Sequence, residues 1–449
     1  MIAASQEGAK TLQVQAGSEL PLPSWIDWLL GAEGRCTQQA ESGVELHVRA
    51  GGKWTLVTAR VRDAISLAGL DFQRETARAY AAIGDVLRQS ACRYPVRFWN
   101  FLPDIGGCPH SGLAGTAVPH RRQNGTCKRC PPAEGRTDAD LNRYMVFNAG
   151  RFSAYLDWYG ETASFEQTVA TATGIGHASE DLVIHVLAGR MRGRHVENPR
   201  QRQASCYSPR HGPLPPCFAR ATVAYGETGM EPLILVGGTA SVRGEDSVHH
   251  DDVGAQVEET LDNIEAVLEA AWRRLEAPPA TAISADDIHR SGSSEGGDER
   301  AAHCVGAAAA RTPHGPGAVR SEPEVAASPQ GTHCVGAATP GDLPETTSHD
   351  CPSKPAVRAV SSSPTLLKSQ GGDHSVGRRG HRLLRHVRVY CVPGVAIDAV
   401  RARVGAWLAE TCELEFLRAT ICRPELLVEI EGVATPSARG WEGARRDAS

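Results

Sequence analysis

The sequence has few aromatic residues, little net charge and no long apolar run. Phe, Trp and Tyr make up 5% of the 449 residues, and 47 Lys and Arg against 52 Asp and Glu leave a net charge of −5. This balance excludes the broad basic surface that binds nucleic acid or an anionic membrane, so neither partner is expected. Apolar runs such as 233–236 fall far short of the roughly 20 residues that span a bilayer.

Two further observations bear on location and size. Residues 1–10 lack a basic start followed by an apolar stretch, so no secretory signal is predicted. Without that signal, the odd number of 13 cysteines favours reduced thiols and a cytoplasmic location over a disulfide framework. A chain of 449 residues is too long for one core and suits two or three packed units.

A long segment, 278–380, is predicted to be disordered. Its 103 residues contain no Phe, Trp, Tyr or Met and only twelve Val, Ile or Leu, too few to offset the entropy of ordering the chain. The segment holds an imperfect repeat in which His303-Cys304 recurs as His333-Cys334. Two such pairs could recruit a soft metal, but duplicated low-complexity sequence is the favoured interpretation.

A second interruption, 106–137, is rich in possible metal ligands. They are Cys108, His110, His120, Cys127 and Cys130, of which the last two form a Cys-x-x-Cys spacing. Such a pair with two further ligands is the minimum for structural zinc. No second pair accompanies it, and the flanks are rich in Pro and Gly. An ordinary loop insertion is therefore favoured, and neither a metal nor a cofactor is expected.

The remaining chain alternates strand and helix patterns, which indicates an α/β or α+β packing of sheets covered by helices; we predict the α+β class. A pattern that alternates around two glycines predicts a hairpin over 44–61. Strands are further predicted at 94–105, 182–188, 233–236, 386–392, 413–419 and 426–433, and helices at 71–90, 141–159, 253–275 and 395–410.

These breaks divide the chain into five parts. They are an N-terminal extension (1–39), a first folded unit (40–277) with the loop insertion 106–137, the disordered insertion (278–380), a C-terminal unit (381–435) and a tail (436–449). Because strand and helix patterns resume after it, the long insertion is expected to separate two parts of one folded body.

Three arginines stand among apolar, Gly and Pro residues rather than in charged runs. They are Arg151, Arg210 and Arg220. The planar guanidinium fork matches the two oxygens of a carboxylate, so together they would suit a small molecule with two carboxylates. Taken singly, each arginine is better explained by pairing with a surface Asp or Glu.

Small residues occupy 237–241, directly after an apolar strand and before a long predicted helix. Backbone N–H groups there would be open to a ligand, and a helix N-terminus favours anions. The stretch lacks the spacing of a dinucleotide fingerprint and the Lys of a P-loop. A tight strand-to-helix turn is an equally weighted alternative.

The strand pattern at 428–431 pairs two acidic side chains with two apolar ones. Alternation sends Val428 and Ile430 to one face of the strand, and Glu429 and Glu431 to the other. If the acidic face meets the arginines, one carboxyl becomes a desolvated general acid with a raised pKa. The alternative is a half-solvated strand, which is favoured when no partner for the acidic face is known.

Several separate motifs in a fixed order now point to a family. They are 97–105 (RFWNFLPDI), 147–152 (FNAGRF), 197–201 (ENPRQ), 207–210 (YSPR) with 218–221 (FARA), 237–241 (GGTAS) with Glu245, Ser247 and His249, and 422–432 (CRPELLVEIEG). The set resembles the chorismatase family, bacterial enzymes that remove pyruvate from chorismate to give a dihydroxycyclohexadiene carboxylate or hydroxybenzoates. The resemblance covers about 40–105, 138–275 and 385–433. It implies a Rid (YjgF-like), chorismate mutase-like fold with two related units in one chain.

The resemblance also implies roles for single residues. Glu429 matches the family's catalytic acid, which would protonate the methylene carbon of the enolpyruvyl ether and let pyruvate depart. Arg151, Tyr207, Arg210 and Arg220 match the positions that bind the carboxylates and the hydroxyl of the substrate.

Two further positions imply the product. Cys422 resembles the branch that forms hydroxybenzoates, in which the ring hydroxyl of the substrate displaces pyruvate and ring opening aromatises the product; hydrolytic relatives have alanine there. Ala240 stands where the branch that makes only 3-hydroxybenzoate has glycine. The combination resembles bifunctional 3- and 4-hydroxybenzoate synthases of aryl-polyene pigment and ubiquinone pathways. Pro424 breaks any strand ladder between Cys422 and Glu429, so both can face one pocket.

Two other functions are left open by the sequence. The 428–431 pattern is also similar to that of Rid deaminases, which would make the chain an enamine or imine hydrolase. The Cys- and His-rich insertions suggest instead a non-catalytic ligand-binding or metal-sensing protein. On the leading hypothesis the partner is the small molecule chorismate. A monomer is favoured, because two related units could build within one chain the site that Rid proteins form between subunits.

Overall fold

The structure, a computed structural model, describes residues 9–11, 19–31, 35–41, 43–108, 141–159, 168–212, 214–226, 231–276 and 380–436. All of them fall in the larger of two units of the chain, Met1–Ala310 with Val376–Ser449. The predicted disorder of 278–380 lies outside the described residues apart from Gly380. The same holds for the His-Cys repeat and for four of the five possible zinc ligands, the exception being Cys108.

The described elements contain every strand and helix that the sequence predicted, with ends shifted by up to four residues. The strands are β1 (Ala9–Thr11), β2 (Arg35–Glu41), β3 (Val44–Gly51), β4 (Trp54–Val61), β5 (Tyr94–Pro103), β6 (Thr171–His177), β7 (Leu182–Gly189), β8 (Arg194–Val196), β9 (Ala221–Ala224), β10 (Leu233–Ala240), β11 (Val242–Arg243), β12 (Asp246–Ser247), β13 (Leu384–Cys391), β14 (Glu413–Arg418), β15 (Thr420–Ile421) and β16 (Val428–Ala434). The α-helices are α1 (Trp25–Leu30), α2 (Gly69–Gln89), α3 (Arg143–Tyr159), α4 (Val253–Glu276) and α5 (Ile397–Trp407). The predicted α+β class is confirmed.

The first sheet has the strand order β15-β6-β5-β7-β4-β3-β2. Its β3–β4 hairpin is the predicted one, with Gly51 opposite Trp54 at the turn. Gly52 has a φ of 57°, a left-handed conformation that glycine adopts without a Cβ clash. β5 and β6 run parallel, and β7 lies between β5 and β4, antiparallel to both.

The second sheet has the order β1-β14-β13-β16-β10-β9-β8. It joins chain from both sides of the long insertion, because β10 pairs antiparallel with β16. The ranges 40–277 and 381–435 thus contribute strands to one sheet. β1, from the N-terminal extension, adds to the edge of this sheet parallel to β14.

The two sheets follow the same path through the chain. In the first, the meander β2–β3–β4 leads to α2, β5, α3 and a parallel β6, and β7 then enters between β5 and β4. In the second, the meander β8–β9–β10 leads to α4, β13, α5 and a parallel β14, and β16 then enters between β13 and β10.

Apolar clusters place these elements in four layers. One cluster lies between the sheets and includes Trp54 and Trp99 from the first and Leu235, Tyr390 and Val433 from the second. A second cluster packs α2 and α3 against the outer face of the first sheet, and a third packs α4 and α5 against the outer face of the second. Among the described residues, none of the helices combines the length and apolar character that crossing a membrane requires.

Candidate active site

The acidic face of β16 is turned into the molecule, against the first sheet. Glu429 and Glu431 are only 5% and 3% exposed, while Val428 and Ile430 join the apolar cluster under α4 and α5. The predicted division of the two faces is confirmed, and the half-solvated alternative is wrong. Both carboxyl groups are buried because β16 is a central strand of a sheet that is covered on both sides.

Glu431 accepts hydrogen bonds from both sheets. Arg97 Nη2 and Thr173 Oγ1 each donate to Glu431 Oε2 over 2.6 Å. Trp99 Nε1 and Tyr390 Oη donate to Glu431 Oε1 over 3.0 and 3.1 Å. Because the buried guanidinium of Arg97 matches the carboxylate, the pair adds no net charge to the interface.

Glu429 lies two residues away on the same face and has a different environment. It forms no ion pair with any described residue. Burial, and then the charge of Glu431, raise the pKa of Glu429 to about 8 against the opposing influence of three arginines. The carboxyl is therefore protonated at neutral pH and able to donate a proton.

The stretch 237–241 belongs to a strand for most of its length, so the predicted strand-to-helix turn is wrong. β10 continues through Ala240, and the β11–β12 hairpin precedes the start of α4. The strand continues because β16 offers a partner here, with Ala240 opposite Glu429. A Cβ on Gly238 would overlap Glu429 Oε1. The glycine thus leaves space for the acid rather than a cradle for an anion.

Arg151 on α3 is a buried cation that pairs with no carboxylate among the described residues. Its Nη2 donates to Asn148 Oδ1 over 2.8 Å, while its buried Nε has no hydrogen-bond partner. Asn148 Nδ2 is also buried without a hydrogen-bond partner, as far as the described ranges extend. A buried guanidinium is costly unless an anion pairs with it, so this position suits an anionic ligand.

Arg220 and Tyr207 form a second polar group. Arg220 Nη2 donates to Tyr207 Oη over 2.7 Å, and its buried Nε has no hydrogen-bond partner. Arg423, beside Cys422, places its guanidinium carbon 5.5 Å from the centre of the Tyr207 ring. It donates to the Glu245 carbonyl over 2.8 Å. Neither Arg220 nor Arg423 forms an ion pair within the described ranges.

Arg210 stands apart from the other two predicted arginines. Its side chain is 42% exposed, pairs with Asp246 and lies 3.3 Å from Glu245 Oε1. Although burial opposes it, the backbone N–H of Ser208 and the nearby Arg202 and Arg210 lower the pKa of Glu245 to about 2. For Arg210 the surface ion pair, the alternative left open by the sequence, is the one observed.

Cys422 and Ala240 both adjoin Glu429. Burial, and then the Glu429 charge, raise the pKa of the Cys422 thiol to about 12, so the thiol is neutral at physiological pH. Cys422 packs partly against the core between the sheets and partly against the core under α2 and α3. The structure thus places Cys422 and Ala240 close to Glu429.

Three residues near the acid escaped the sequence reasoning, although each carried a signal. Arg97 is a charged residue in an apolar strand, and Tyr144 shares a helical face with Asn148 and Arg151. Burial raises the pKa of Tyr144 well above its usual value, and the nearby Cys422 acts in the same direction. Thr173 carried the weakest signal, a small polar residue in a strand the sequence did not predict.

Within the described ranges, no three His, Cys, Asp or Glu side chains cluster as ligands of a metal ion would. Of the Cys/His-rich loop, the structure describes Cys108, a partly buried cysteine.

The whole arrangement is a fold that known proteins share. The structure matches a solved crystal structure of a chorismatase with a TM-score of 0.52 and 21% sequence identity, over 89% of this chain and 80% of that chain. The class defined here is therefore an α+β protein with the fold of a chorismatase.

Sequence comparison narrows this class. Residues 29–114 match the family model described as "Chorismatase FkbO/Hyg5-like, N-terminal". A 3-hydroxybenzoate synthase of Streptomyces hygroscopicus is 33% identical over 200 residues, 44% of this chain and 49% of that protein. A chorismatase of Streptomyces rapamycinicus is 31% identical over 196 residues, 43% of this chain and 49% of that protein. The resemblance to the chorismatase family is confirmed, and the chain spans about half the length of these curated relatives.

Proposed function

We propose that this protein is a chorismatase that cleaves the enolpyruvyl ether of chorismate into pyruvate and 3-hydroxybenzoate, 4-hydroxybenzoate or both. The observation that carries the proposal is Glu429, a buried carboxyl that is protonated at neutral pH. It lies near Arg220 and Arg423, which have no carboxylate partner in the part of the chain that the structure describes. The similarity to proteins named chorismatase and 3-hydroxybenzoate synthase supports the same reaction.

Glu429 is the general acid of the proposed reaction. It donates its proton to the methylene carbon of the enolpyruvyl group, which leaves an oxocarbenium-like centre at the ether carbon. The ring hydroxyl of the substrate then bonds to the ring carbon as the ring–oxygen bond breaks, and the electron pair of that bond leaves with pyruvate. The hydroxyl proton passes to the Glu429 carboxylate, and opening of the resulting three-membered ring with a shift of the ring proton gives the hydroxybenzoate. A pKa of about 8 suits this role, because the acid is protonated at neutral pH and its conjugate base can take up a proton afterwards.

The arginines bind the two carboxylates of the substrate. Arg151 has a buried Nε without a hydrogen-bond partner among the described residues, and so has Arg220, which is held by Tyr207. An anion at either group would receive charge-assisted hydrogen bonds in a site of low dielectric constant. Arg210, whose charge is shared with Glu245 and Asp246, contributes from the rim.

The proposed product follows from Cys422 and Ala240. Chorismate divides into a hydroxybenzoate and pyruvate without the addition of water, whereas the dihydroxycyclohexadiene carboxylate requires one water molecule. The neutral, partly buried Cys422 thiol beside Glu429 occupies space in which water could otherwise attack. This supports the hydroxybenzoate branch, and with it a place in aryl-polyene pigment or ubiquinone pathways.

The finer description of the fold is also a proposal. The shared path of the two sheets supports two related Rid (YjgF-like) units, each a sheet with two helices on its outer face. The described residues near Glu429 come from both sheets, as Gly238 and Thr173 illustrate. One chain therefore supplies what a site between subunits would need, which supports a monomer. The enzyme is proposed to act in the cytoplasm without a cofactor.

Incubation of the purified full-length chain with chorismate tests the proposal. We expect pyruvate release well above the spontaneous rate, with hydroxybenzoates as the aromatic products separated by chromatography. Glu429→Gln should lower the rate by roughly 10²- to 10⁴-fold, the usual contribution of general acid catalysis.

Glu415→Gln is the matched control, because Glu415 is an equally buried carboxylate of the same sheet that pairs with Arg388. It should keep the activity of the folded enzyme. No pyruvate above the spontaneous background contradicts the proposed function. An unchanged rate in Glu429→Gln removes Glu429 from its role, and ammonia release from 2-aminoacrylate instead would favour the Rid-like deaminase.

A further inference from the structure

The two glutamates of β16 share one face and one buried arginine. Arg97 is 2% exposed, and its Nη2 lies 2.6 Å from Glu431 Oε2. Of the three arginine charges that favour the ionised form of Glu429, that of Arg97 has the largest effect. One cation thus stands close to two carboxyl groups, and the geometry assigns it to only one of them.

A threonine fixes this assignment. Thr173 Oγ1 accepts from Arg97 Nη2 over 2.5 Å and donates to Glu431 Oε2 over 2.6 Å. The same oxygen accepts from the backbone N–H of Gly238 over 3.0 Å. Gly238 is the residue whose missing Cβ leaves space for Glu429. Arg97 is therefore directed to Glu431 by a network that ends beside the proposed acid.

We propose that Glu431 is a positioning residue for the reaction: it holds the Arg97 guanidinium, so that Arg97 does not pair with Glu429 and Glu429 keeps the proton it donates. The inference rests on the proposed function of Glu429. The carboxylate and the guanidinium cancel each other within the interface, and burial then decides the protonation of the free carboxyl.

None of the other described ionisable groups around Glu429 could hold Arg97 in place of Glu431. They are Tyr390 on the neighbouring strand β13, Tyr144 on α3, Cys422 and Arg423 before β16, Arg220 before β9, and Tyr207. The two arginines oppose a proton on Glu429 and are the groups that an anionic substrate would engage. Of the described groups, Glu431 is the one carboxylate that both faces Glu429 and binds Arg97.

The pH dependence of kcat/KM for pyruvate release tests the inference. In the parent protein, activity should fall as pH rises through about 8, because the acid loses its proton there. Glu431→Gln leaves Arg97 without its carboxylate, so this fall should move to lower pH by about one to three units, the range over which a neighbouring arginine lowers a carboxyl pKa. Near pH 8 the variant should be about fivefold slower if the fall moves by about one unit and about fiftyfold slower if it moves by about two.

The double variant Arg97→Met/Glu431→Gln removes both charges and should return the fall in kcat/KM toward pH 8. A merely structural role for Glu431 predicts lower stability with an unmoved profile in both variants. Glu415→Gln is the matched control, since it breaks another buried Arg–carboxylate pair of the same sheet and should leave the profile in place.

A second readout does not depend on turnover. The free energy of unfolding is measured from pH 5 to 8 for the parent and for Glu431→Gln, each with and without Glu429→Gln. The stability of the parent should fall as pH rises toward 8, and Glu429→Gln should remove this fall. The stability of Glu431→Gln should show the same kind of fall, but ending at lower pH, and adding Glu429→Gln should remove that fall too. Equal falls in both backgrounds overturn the inference. If the parent shows no turnover, the proposed function fails and this measurement alone decides the role of Glu431.

Discussion

Two regions of the molecule contain buried ionisable groups, and these groups are paired in one region and unpaired in the other. Around Glu415 on β14, each charge has a partner: Arg388 Nε donates to Glu415 Oε2 over 2.8 Å, and His386 Nε2 lies 3.1 Å from Glu415 Oε1. The backbone N–H of Ser24 donates to the same Oε1 over 3.2 Å. Around Glu429 on β16, the acid has no ion pair among the described residues. Arg151 on α3, whose charge acts on Tyr144, as does that of Glu429, has no carboxylate partner there either.

This difference distinguishes buried groups that stabilise the fold from buried groups that would bind a ligand. In a buried ion pair the two charges compensate each other, whereas an unpaired buried charge is maintained at a cost in stability. Sites of function are where such a cost is commonly found. We therefore infer that the Glu415 region stabilises the fold and that the Glu429 region binds the substrate.

The largest expected effect comes from exchanging one buried arginine in each region. Arg151→Met should lower kcat/KM for chorismate roughly a hundredfold, because about two charge-assisted hydrogen bonds of about 1.5 kcal/mol each are lost. Its unfolding free energy should change by less than about 1.5 kcal/mol, since the side chain volume is largely kept and no ion pair is broken.

Arg388→Met should show the reverse pattern. It leaves Glu415 buried without its guanidinium, which costs about 3 to 5 kcal/mol of unfolding free energy, while the fraction that stays folded keeps its kcat/KM. Urea unfolding and steady-state kinetics on both variants measure the contrast. Similar losses of stability in both variants would break the division into two kinds of region.

A medium effect is expected in the pH dependence of stability, with opposite signs for the two carboxyl groups. The pKa of Glu429 is raised in the folded state, so the unfolding free energy should fall as pH rises from about 5 to 8, by at most about 1.4 kcal/mol per pH unit. Glu429→Gln removes this fall, so its stability relative to the parent should rise with pH.

For Glu415 the sign is reversed. Although burial opposes it, the hydrogen bond with His386 and the charge of Arg388 hold the pKa of Glu415 far below its usual range. Its contribution to stability is present at neutral pH and is lost as pH falls below about 4. The deficit of Glu415→Gln relative to the parent should therefore shrink in acid. Unfolding curves at several pH values check both slopes, and equal signs would contradict the comparison.

The smallest expected effect is on the product rather than the rate. Cys422→Ala makes space beside Glu429, so water should compete better and the share of dihydroxycyclohexadiene carboxylate should increase. Cys391→Ala is the matched control, because Cys391 is a buried cysteine that faces α4 and α5 instead. Chromatography of the products measures the ratio. A ratio that Cys422→Ala leaves unaltered counts against its assignment to the hydroxybenzoate branch.

Local patterns predicted the elements well but not how they meet. Alternation along β16 placed both glutamates on one face, and the helix over 253–275 was observed as Val253–Glu276. Alternation gives the face of a residue and not the strand across from it. The Arg97–Glu431 pair joins residues 334 positions apart, so nothing local indicates it.

The error at 237–241 has a related cause. Small residues before a helix resemble a turn when a strand is considered alone. β10 continues because β16, almost two hundred residues later, hydrogen-bonds to it there. In the same way, Arg210 and Arg151 look alike in sequence, and only the nearby Glu245 and Asp246 distinguish them.

The repeated path of the two sheets has a consequence for how this chain changes its length. The connection from α2 to β5 needs only residues 90–93, whereas its counterpart from α4 to β13 contains the long insertion. Conversely, residues 392–396 connect β13 to α5, whereas the counterpart from β5 to α3 contains the loop 106–137. For each long connection, the corresponding connection in the other sheet is short. In these two connections, residues can be inserted or deleted, in evolution or by design, while both sheets keep their strand order.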